Sequence, residues 1–206
     1  MSSIPSKRIG ITDTQSFYEE NAESYFESTV GIDVSGLRER FLKYIPAGGR
    51  ILDAGSGSGR DTRAFCELGY EVEAFDSSPA LAELSTNLTG VRTQVRQFED
   101  FIELARFDGI WACASLLHVS QTDLPDVLVR LSRALKSRGA LYVSFKEGVG
   151  ESTLLDGRRF TKLTLQTLEL LLQSLTHVVI REIWSYSAQS SSKESEAWVN
   201  AIATRI

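Results

Sequence analysis

The sequence predicts an α/β fold, a doubly wound, mostly parallel sheet with helices on both faces, a final antiparallel strand pair and an N-terminal helical lid. Three observations carry this. From Arg50 onward, short apolar runs alternate with amphipathic segments five times over, the pattern of a parallel sheet covered by helices. The last two strand-like runs leave no room for a helix between them, so they must pair antiparallel. Upstream of Arg50, apolar residues recur at helical spacing.

Residues 1–12 read as a loose tail. Over 16–29, Tyr18, Ala22, Tyr25 and Phe26 form one apolar stripe on a polar helix. A second helix spans about 35–45 and stops at Pro46. The first strand is 50–54, and a helix over 60–68 has Gly69 just past its end. A strand over 71–75 precedes Ser78-Pro79, a cap and first-turn proline that open a helix carrying Leu81, Leu84 and Leu88. Residues 91–98 are strand-like, and 107–114 are apolar enough for a strand buried on both faces. Leu124, Val127, Leu128, Leu131 and Leu135 line a long helix that Gly139 ends, before a buried strand over 140–145. Thr164 caps a helix carrying Leu168, Leu171, Leu172 and Leu175. Strands near 178–184 and 197–204 flank a serine-rich segment, read as a hairpin tip or a regulatory tail. The whole reads as one domain, a lid over about 13–46 and a core over about 50–206.

The 206 residues, 42% apolar and 24% charged, have ordinary globular composition. A chain of this length buries enough surface to fold without disulfides or metal. Twenty-seven acidic residues against 22 basic ones, without a basic block, argue against a nucleic-acid backbone binder. Cys66 and Cys113 lie inside apolar runs rather than at metal spacing, and read as free thiols in a reducing compartment. The first residues, MSSIPSKRIG, hold no apolar signal core, and no run reaches the ~18 residues of a membrane span. The expectation is a cytoplasmic protein.

The chemistry sits in Ile51-Leu52-Asp53-Ala54-Gly55-Ser56-Gly57-Ser58-Gly59-Arg60. Glycines after the first strand let backbone approach a ligand closely, and the helix that follows offers unpaired N–H groups. The dinucleotide fingerprint is G-x-G-x-x-G. Here the third glycine comes one residue early and Arg60 stands in its place, which counts against a pyrophosphate. No Gly-Lys-Ser/Thr follows, so a Walker-type phosphate loop is also disfavoured. Asp76, 17 residues after Gly59, ends the second strand. A carboxylate there accepts from both hydroxyls of a ribose; its bland alternative is a turn residue before the Ser78 cap. Asp53, buried by position, needs partners, which nearby loop N–H groups can supply.

This run, with Asp61-Thr62 and Asp76, resembles the first two motifs of the class I S-adenosylmethionine-dependent methyltransferases. Gly-Arg-Asp-Thr and Gly-Tyr-Glu-Val-Glu-Ala-Phe-Asp are similar to the tellurite-resistance methyltransferase branch and its small bacterial relatives. Residues 17–22 with Tyr25-Phe26 resemble the lid helix of such enzymes, 107–114 with Leu116-Leu117-His118 their fourth-strand motif, and 133–139 their approach to the fifth strand. The resemblance implies a Rossmann-like core with S-adenosylmethionine as cofactor. Asp53, Gly55, Ser56, Gly57, Gly59 and Arg60 would surround its methionine part, and Asp76 with Ser77 its ribose. The adenine would meet Gln97, Phe98 and Glu99, where the family often has Gly-Asp-Ala. Ala114 and Ser115 would lie near the sulfonium. Tyr18 and Tyr25 would close over the cofactor, or serve as packing residues of an amphipathic helix.

A sulfonium methyl is already activated, so the protein mainly aligns a nucleophile and excludes water. A hydroxyl or ammonium must first lose a proton, and His118 is the candidate base, or a packing residue. His177 reads as structural. Arg158 and Arg159 are candidates for holding an anionic substrate, or solvated loop charges. The leading expectation is a methyltransferase for a small-molecule acceptor, without nucleic-acid or membrane partners. The alternatives are a non-catalytic nucleoside-binding module and a nicotinamide-dependent oxidoreductase.

Overall fold

The computed structural model describes residues 13–189 and 195–206. The tail expected over 1–12 and the tip of the serine-rich hairpin lie outside the described residues. Helices α1 (Asp13–Glu20), α2 (Ala22–Thr29) and α3 (Ser35–Leu42) precede the sheet. The one helix expected over 16–29 is therefore two. At Asn21 (φ −116°, ψ 21°) the side-chain amide donates to the Phe17 carbonyl at 2.9 Å, beside the backbone N–H at 3.0 Å. Such side-chain competition for a helix carbonyl kinks the chain.

The core then runs β1 (Arg50–Ala54), α4 (Arg60–Glu67), β2 (Glu71–Asp76), α5 (Pro79–Thr89), β3 (Thr93–Val95), β4 (Phe107–Ala112), α6 (Leu124–Ala134) and β5 (Leu135–Lys146). After it come β6 (Gly150–Thr153), β7 (Arg159–Lys162), α7 (Leu165–Gln173), β8 (Val178–Gln189) and β9 (Ser195–Arg205). Seven strands form one sheet in the order β3-β2-β1-β4-β5-β9-β8. β9 is antiparallel to β5 and to β8, and the remaining pairs are parallel. The fold class matches the expectation. Chain order reverses between β1 and β4, and in such sheets ligands bind at that point, beyond the carboxyl ends of the strands.

Two local readings change. Helix α6 ends at Ala134, short of Gly139, because the N–H groups of Ala105 and Arg106 take the carbonyls of Arg133 and Ala134 at 2.9 and 2.7 Å. Arg158 lies in a loop, but Arg159 and Phe160 begin a strand. It belongs to a separate hairpin, β6 paired antiparallel with β7.

Neighbouring strand residues point to opposite faces, and two cores result. Leu52, Ile110 and Leu141 join Phe101, Leu128 and Leu168 on one side. Ile51, Trp111 and Tyr142 join Phe41 and Phe65 on the other. The Trp111 and Tyr142 rings stack with centroids 4.0 Å apart. Among the described residues no helix is long and apolar enough to cross a membrane.

Candidate active site

The glycine turn between β1 and α4 is wound by three left-handed residues, Gly55 (φ 76°), Gly57 (φ 53°) and Gly59 (φ 77°), a conformation L side chains resist. A Cβ on Gly55 would lie 2.5 Å from Ser115 Cβ, and one on Gly59 2.6 Å from Ser85 Oγ. The turn curls onto β2. Gly55 and Ser56 donate their N–H groups to the Phe75 carbonyl at 3.0 and 2.9 Å. Gly57 donates to Asp76 Oδ2 at 2.8 Å, and Ser78 to Oδ1 at 3.0 Å. Burial pushes the Asp76 carboxyl above the ordinary carboxylate range, against these N–H donors. Each carboxylate oxygen keeps a lone pair for a further donor.

A cavity of about 170 Å³ lies along this edge. Gly55, Gly57, Asp76 and Ser77 line one part; Gln97, Phe98 and Glu99 another; Ala114, Ser115, His118 and Val119 a third. The lid contributes Thr14, Gln15, Tyr18 and Tyr25. Polar contacts tie that lid down. Gln15 Nε2 donates to the Ser77 carbonyl at 3.0 Å, and Arg159 N–H to Thr14 Oγ1 at 2.9 Å. Glu19 Oε2 accepts from Ser78 Oγ at 2.8 Å and from Ala80 N–H at 3.1 Å. Tyr18 and Tyr25 meet edge to face, centroids 4.9 Å apart. Burial raises the Tyr18 phenol to about 12, with Arg158 opposing, and raises that of Tyr25 further.

At the β4 end, Ala114 is held at φ 52°, its N–H donating to Ser144 Oγ at 2.7 Å. Ser115 Oγ donates to the Ala54 carbonyl at 2.6 Å, joining the two strands at the reversal of sheet order. His118 sits 2.8 Å from the Tyr18 hydroxyl through Nε2 and 2.8 Å from the Arg159 carbonyl through Nδ1. Burial lowers its pKa to about 4, so the ring is neutral at physiological pH.

Several expected site residues lie elsewhere. Asp53, 3% exposed, is behind the turn. It accepts from Thr62 Oγ1 at 2.7 Å rather than from loop N–H groups. Gly59, Ser56 and Arg60 are not among the cavity-lining residues. Gly59 is packed against Ser85, and the Ser56 N–H is held by Phe75. Arg60 turns its guanidinium to Asp61 at 2.6 Å. That same carboxylate takes Arg38 at 2.6 Å and Trp111 Nε1–H at 3.0 Å, a buried knot that anchors α4 to the sheet and to α3. Arg158 is engaged by Asp156 at 2.7 Å and lies 4.1 Å over the Phe17 ring. Arg159 acts through its backbone. His177 meets Ser132 Oγ at 2.9 Å, away from the cavity. Sequence reasoning missed Thr14, Gln15, Phe75, Leu81, Arg96 and Val119 as cavity residues. Helical phase from Tyr18 back to Thr14 was the available signal for the first of them.

Fold and cavity together define a doubly wound protein with a lidded crevice at the reversal of its sheet order. Residues 26–188 match the methyltransferase domain family model, so the chain belongs to that family. A ubiquinone biosynthesis O-methyltransferase from Xanthomonas axonopodis pv. citri is 33% identical over 107 residues, which are 48% of this chain and 44% of that protein. The chain thus matches less than half the length of that relative. Among solved structures, the 1,6-didemethyltoxoflavin-N1-methyltransferase of Burkholderia thailandensis, with S-adenosylhomocysteine bound, superposes with TM-score 0.73. It is 24% identical, over 92% of this chain and 84% of the other. A TehB-like S-adenosylmethionine-dependent methyltransferase from Corynebacterium glutamicum superposes with TM-score 0.65 at 22% identity, over 91% and 99% of the two chains.

Proposed function

We propose that this enzyme methylates a small-molecule acceptor held under the α1–α2 lid, and that it does so as one domain comprising lid and core. The observation that carries this is the lid packed across the cavity. Contacts at Thr14, Gln15, Tyr18 and Glu19 close the lid onto β7, α5 and the turn after β2.

The residues present fit the donor molecule. Gly55 and Gly57 give a surface free of β-carbons, and the acceptor oxygens of Asp76 suit two ribose hydroxyls. Phe98 and Gln97 supply an apolar face and an amide for a purine. Bound there, S-adenosylmethionine supplies a methyl carbon whose bond to sulfur breaks, leaving its electron pair on sulfur. Ala114 and Ser115 hold the edge of the cavity nearest the end of β4, while Tyr18 and Tyr25 exclude water. Alignment and dehydration are the main contributions a protein makes to such a transfer. The toxoflavin-precursor and ubiquinone relatives take small acceptors by their names, in keeping with this reading. The free thiols of Cys66 and Cys113 suit a cytoplasmic setting.

The experiment is calorimetric titration with S-adenosylhomocysteine and with nicotinamide dinucleotides, followed by a labelled-methyl screen of small acceptors. Micromolar binding of the first and none of the second is expected. A dinucleotide binding in its place would overturn the reading, as would methylation confined to protein or nucleic acid.

A further inference from the structure

The Tyr18–His118 pair has a fixed direction. The Arg159 carbonyl oxygen carries no hydrogen, so its 2.8 Å contact requires His118 to hold a proton on Nδ1. Nε2 of the neutral ring is then a lone-pair acceptor, and Tyr18 must donate its hydroxyl hydrogen across the second 2.8 Å contact. That leaves the Tyr18 oxygen with lone pairs and no hydrogen of its own to offer the cavity. Whatever meets it there must be a donor. Thr14, Tyr25, Ala114 and Val119 also line the cavity, and Arg158, beside β7, faces the Tyr18 hydroxyl. The two cations nearest His118 are already engaged, Arg158 by Asp156 at 2.7 Å and Lys146 by Glu196 at 2.6 Å.

Resting on the cofactor placement above, we infer that the acceptor presents a phenolic O–H or heteroaromatic N–H to Tyr18 Oη, with Tyr18 catalytic in its deprotonation and His118 its positioning partner. The proton balance is complete within the pair. As the hydrogen passes to Tyr18 Oη, the bonding pair left on the acceptor atom forms its bond to the methyl carbon, while the methyl–sulfur bond breaks with its pair on sulfur. Tyr18 gives its own hydrogen to His118 Nε2, and the imidazolium keeps its Nδ1–H on the Arg159 carbonyl. A weak base suffices, because an O–H or aromatic N–H becomes strongly acidic as its atom gains positive charge. A thiolate brings no hydrogen, and meets a lone pair instead of a donor.

His118 is faced by Tyr18 from α1, by the Arg159 carbonyl and Phe160 ring from β7, by Arg158 beside β7, and by Lys146 from β5. Nitrogen NMR of the histidine-labelled full chain reads the pair without turnover. Expected are a protonated Nδ1, an Nε2 signal that moves to the free-imine position in Tyr18→Phe, and titration near 4. Protonated Nε2, or titration near 6.5, overturns the inference. In the S-adenosylhomocysteine complex, phenol and benzimidazole should bind at least tenfold more weakly to Tyr18→Phe. With donor present, the wild type should favour phenol over thiophenolate at least 30-fold, and His118→Asn should lose the acid limb of the pH–rate profile. A preference for thiophenolate, or an unchanged acid limb, also overturns the inference. Failure of S-adenosylhomocysteine to bind sinks the cofactor placement instead, while the NMR result on the pair stands by itself.

Discussion

Asp76→Asn tests the ribose assignment most directly. The substitution keeps the shape of the side chain and removes its charge. In the wild type, Oδ2 receives Gly57 N–H at 2.8 Å and Oδ1 receives Ser78 N–H at 3.0 Å. An amide offers one oxygen and one NH2, so one backbone donor must face another donor. The hydroxyls of the ligand also lose a charged acceptor, and hydrogen bonds to charged groups contribute about 1.5–3 kcal/mol. At about 1.4 kcal/mol per tenfold, S-adenosylhomocysteine should bind roughly 10- to 150-fold more weakly. Calorimetry at neutral pH measures this, with circular dichroism to show that the variant is folded. A pH series adds a second readout. Because burial raises the Asp76 pKa in the folded protein, wild-type affinity should fall on acidification before an ordinary carboxylate titrates. In Asp76→Asn that dependence should vanish. Undiminished affinity in a folded variant would refute the assignment.

Gly59→Ala places a β-carbon 2.6 Å from Ser85 Oγ at φ 77°. The left-handed conformation alone costs an L residue roughly 1–2 kcal/mol. Thermal melting should fall by at least about 2 °C, at about 2–4 °C per kcal/mol for a chain of this size. His118 stays neutral in the fold to about pH 4, while the unfolded residue protonates near 6.5. The unfolded state therefore binds more protons, and stability should drop as pH falls from about 6.5 to 4, by up to roughly 3 kcal/mol. Denaturant titrations of His118→Asn should show that slope flattened. Asp53 is raised by burial and by the charge of Asp61. Its folded pKa exceeds its unfolded value, so its contribution is present below the ordinary carboxylate range and lost as pH rises through the folded pKa. Asp53→Asn, which keeps an oxygen for Thr62 Oγ1, should be more stable than the wild type at pH 8, with the gap closing toward pH 5. A constant gap would show that no proton is involved.

Most of the architecture was legible because period and punctuation agree. Buried strands such as β4 and β5 are near-continuous apolar runs, and Ser78-Pro79 opens α5 with a cap that bonds Leu81 N–H at 3.2 Å. What escaped depends on partners distant in sequence. The end of α6 is set by Ala105 and Arg106, nearly thirty residues upstream. The β6–β7 hairpin is short and half-exposed, with no alternation strong enough to mark it. Within the site, Asp76 and the glycines could be read from spacing. Arg158 could not, since its seat on the Phe17 ring joins the hairpin to the lid, partners far apart in sequence. Asp53 and Arg60 sit in the same motif, with Asp53 accepting from Thr62 and Arg60 paired with Asp61. The buried Asp61, receiving Arg38, Arg60 and Trp111, draws that chemistry under the turn.

The position of the third glycine matters because of where the turn's amides point. A diphosphate needs several N–H groups converging on it. Here four of the five amides from Gly55 to Gly59 are committed within the protein, two to Phe75, one to Asp76 and one to Ser56. The turn thereby aims a carboxylate rather than an anion hole, since Gly57 holds Asp76 from one side and Ser78 from the other. With glycine at 59, α4 approaches α5 closely enough for Ser85 to lie against it, and the helix can begin at Arg60. The early glycine therefore serves helix packing. The ligand it leaves room for is one recognised by hydroxyl donors. Moving that glycine one residue on would put a side chain against Ser85 and shift the start of α4, so the two glycine patterns build different sites from nearly the same letters.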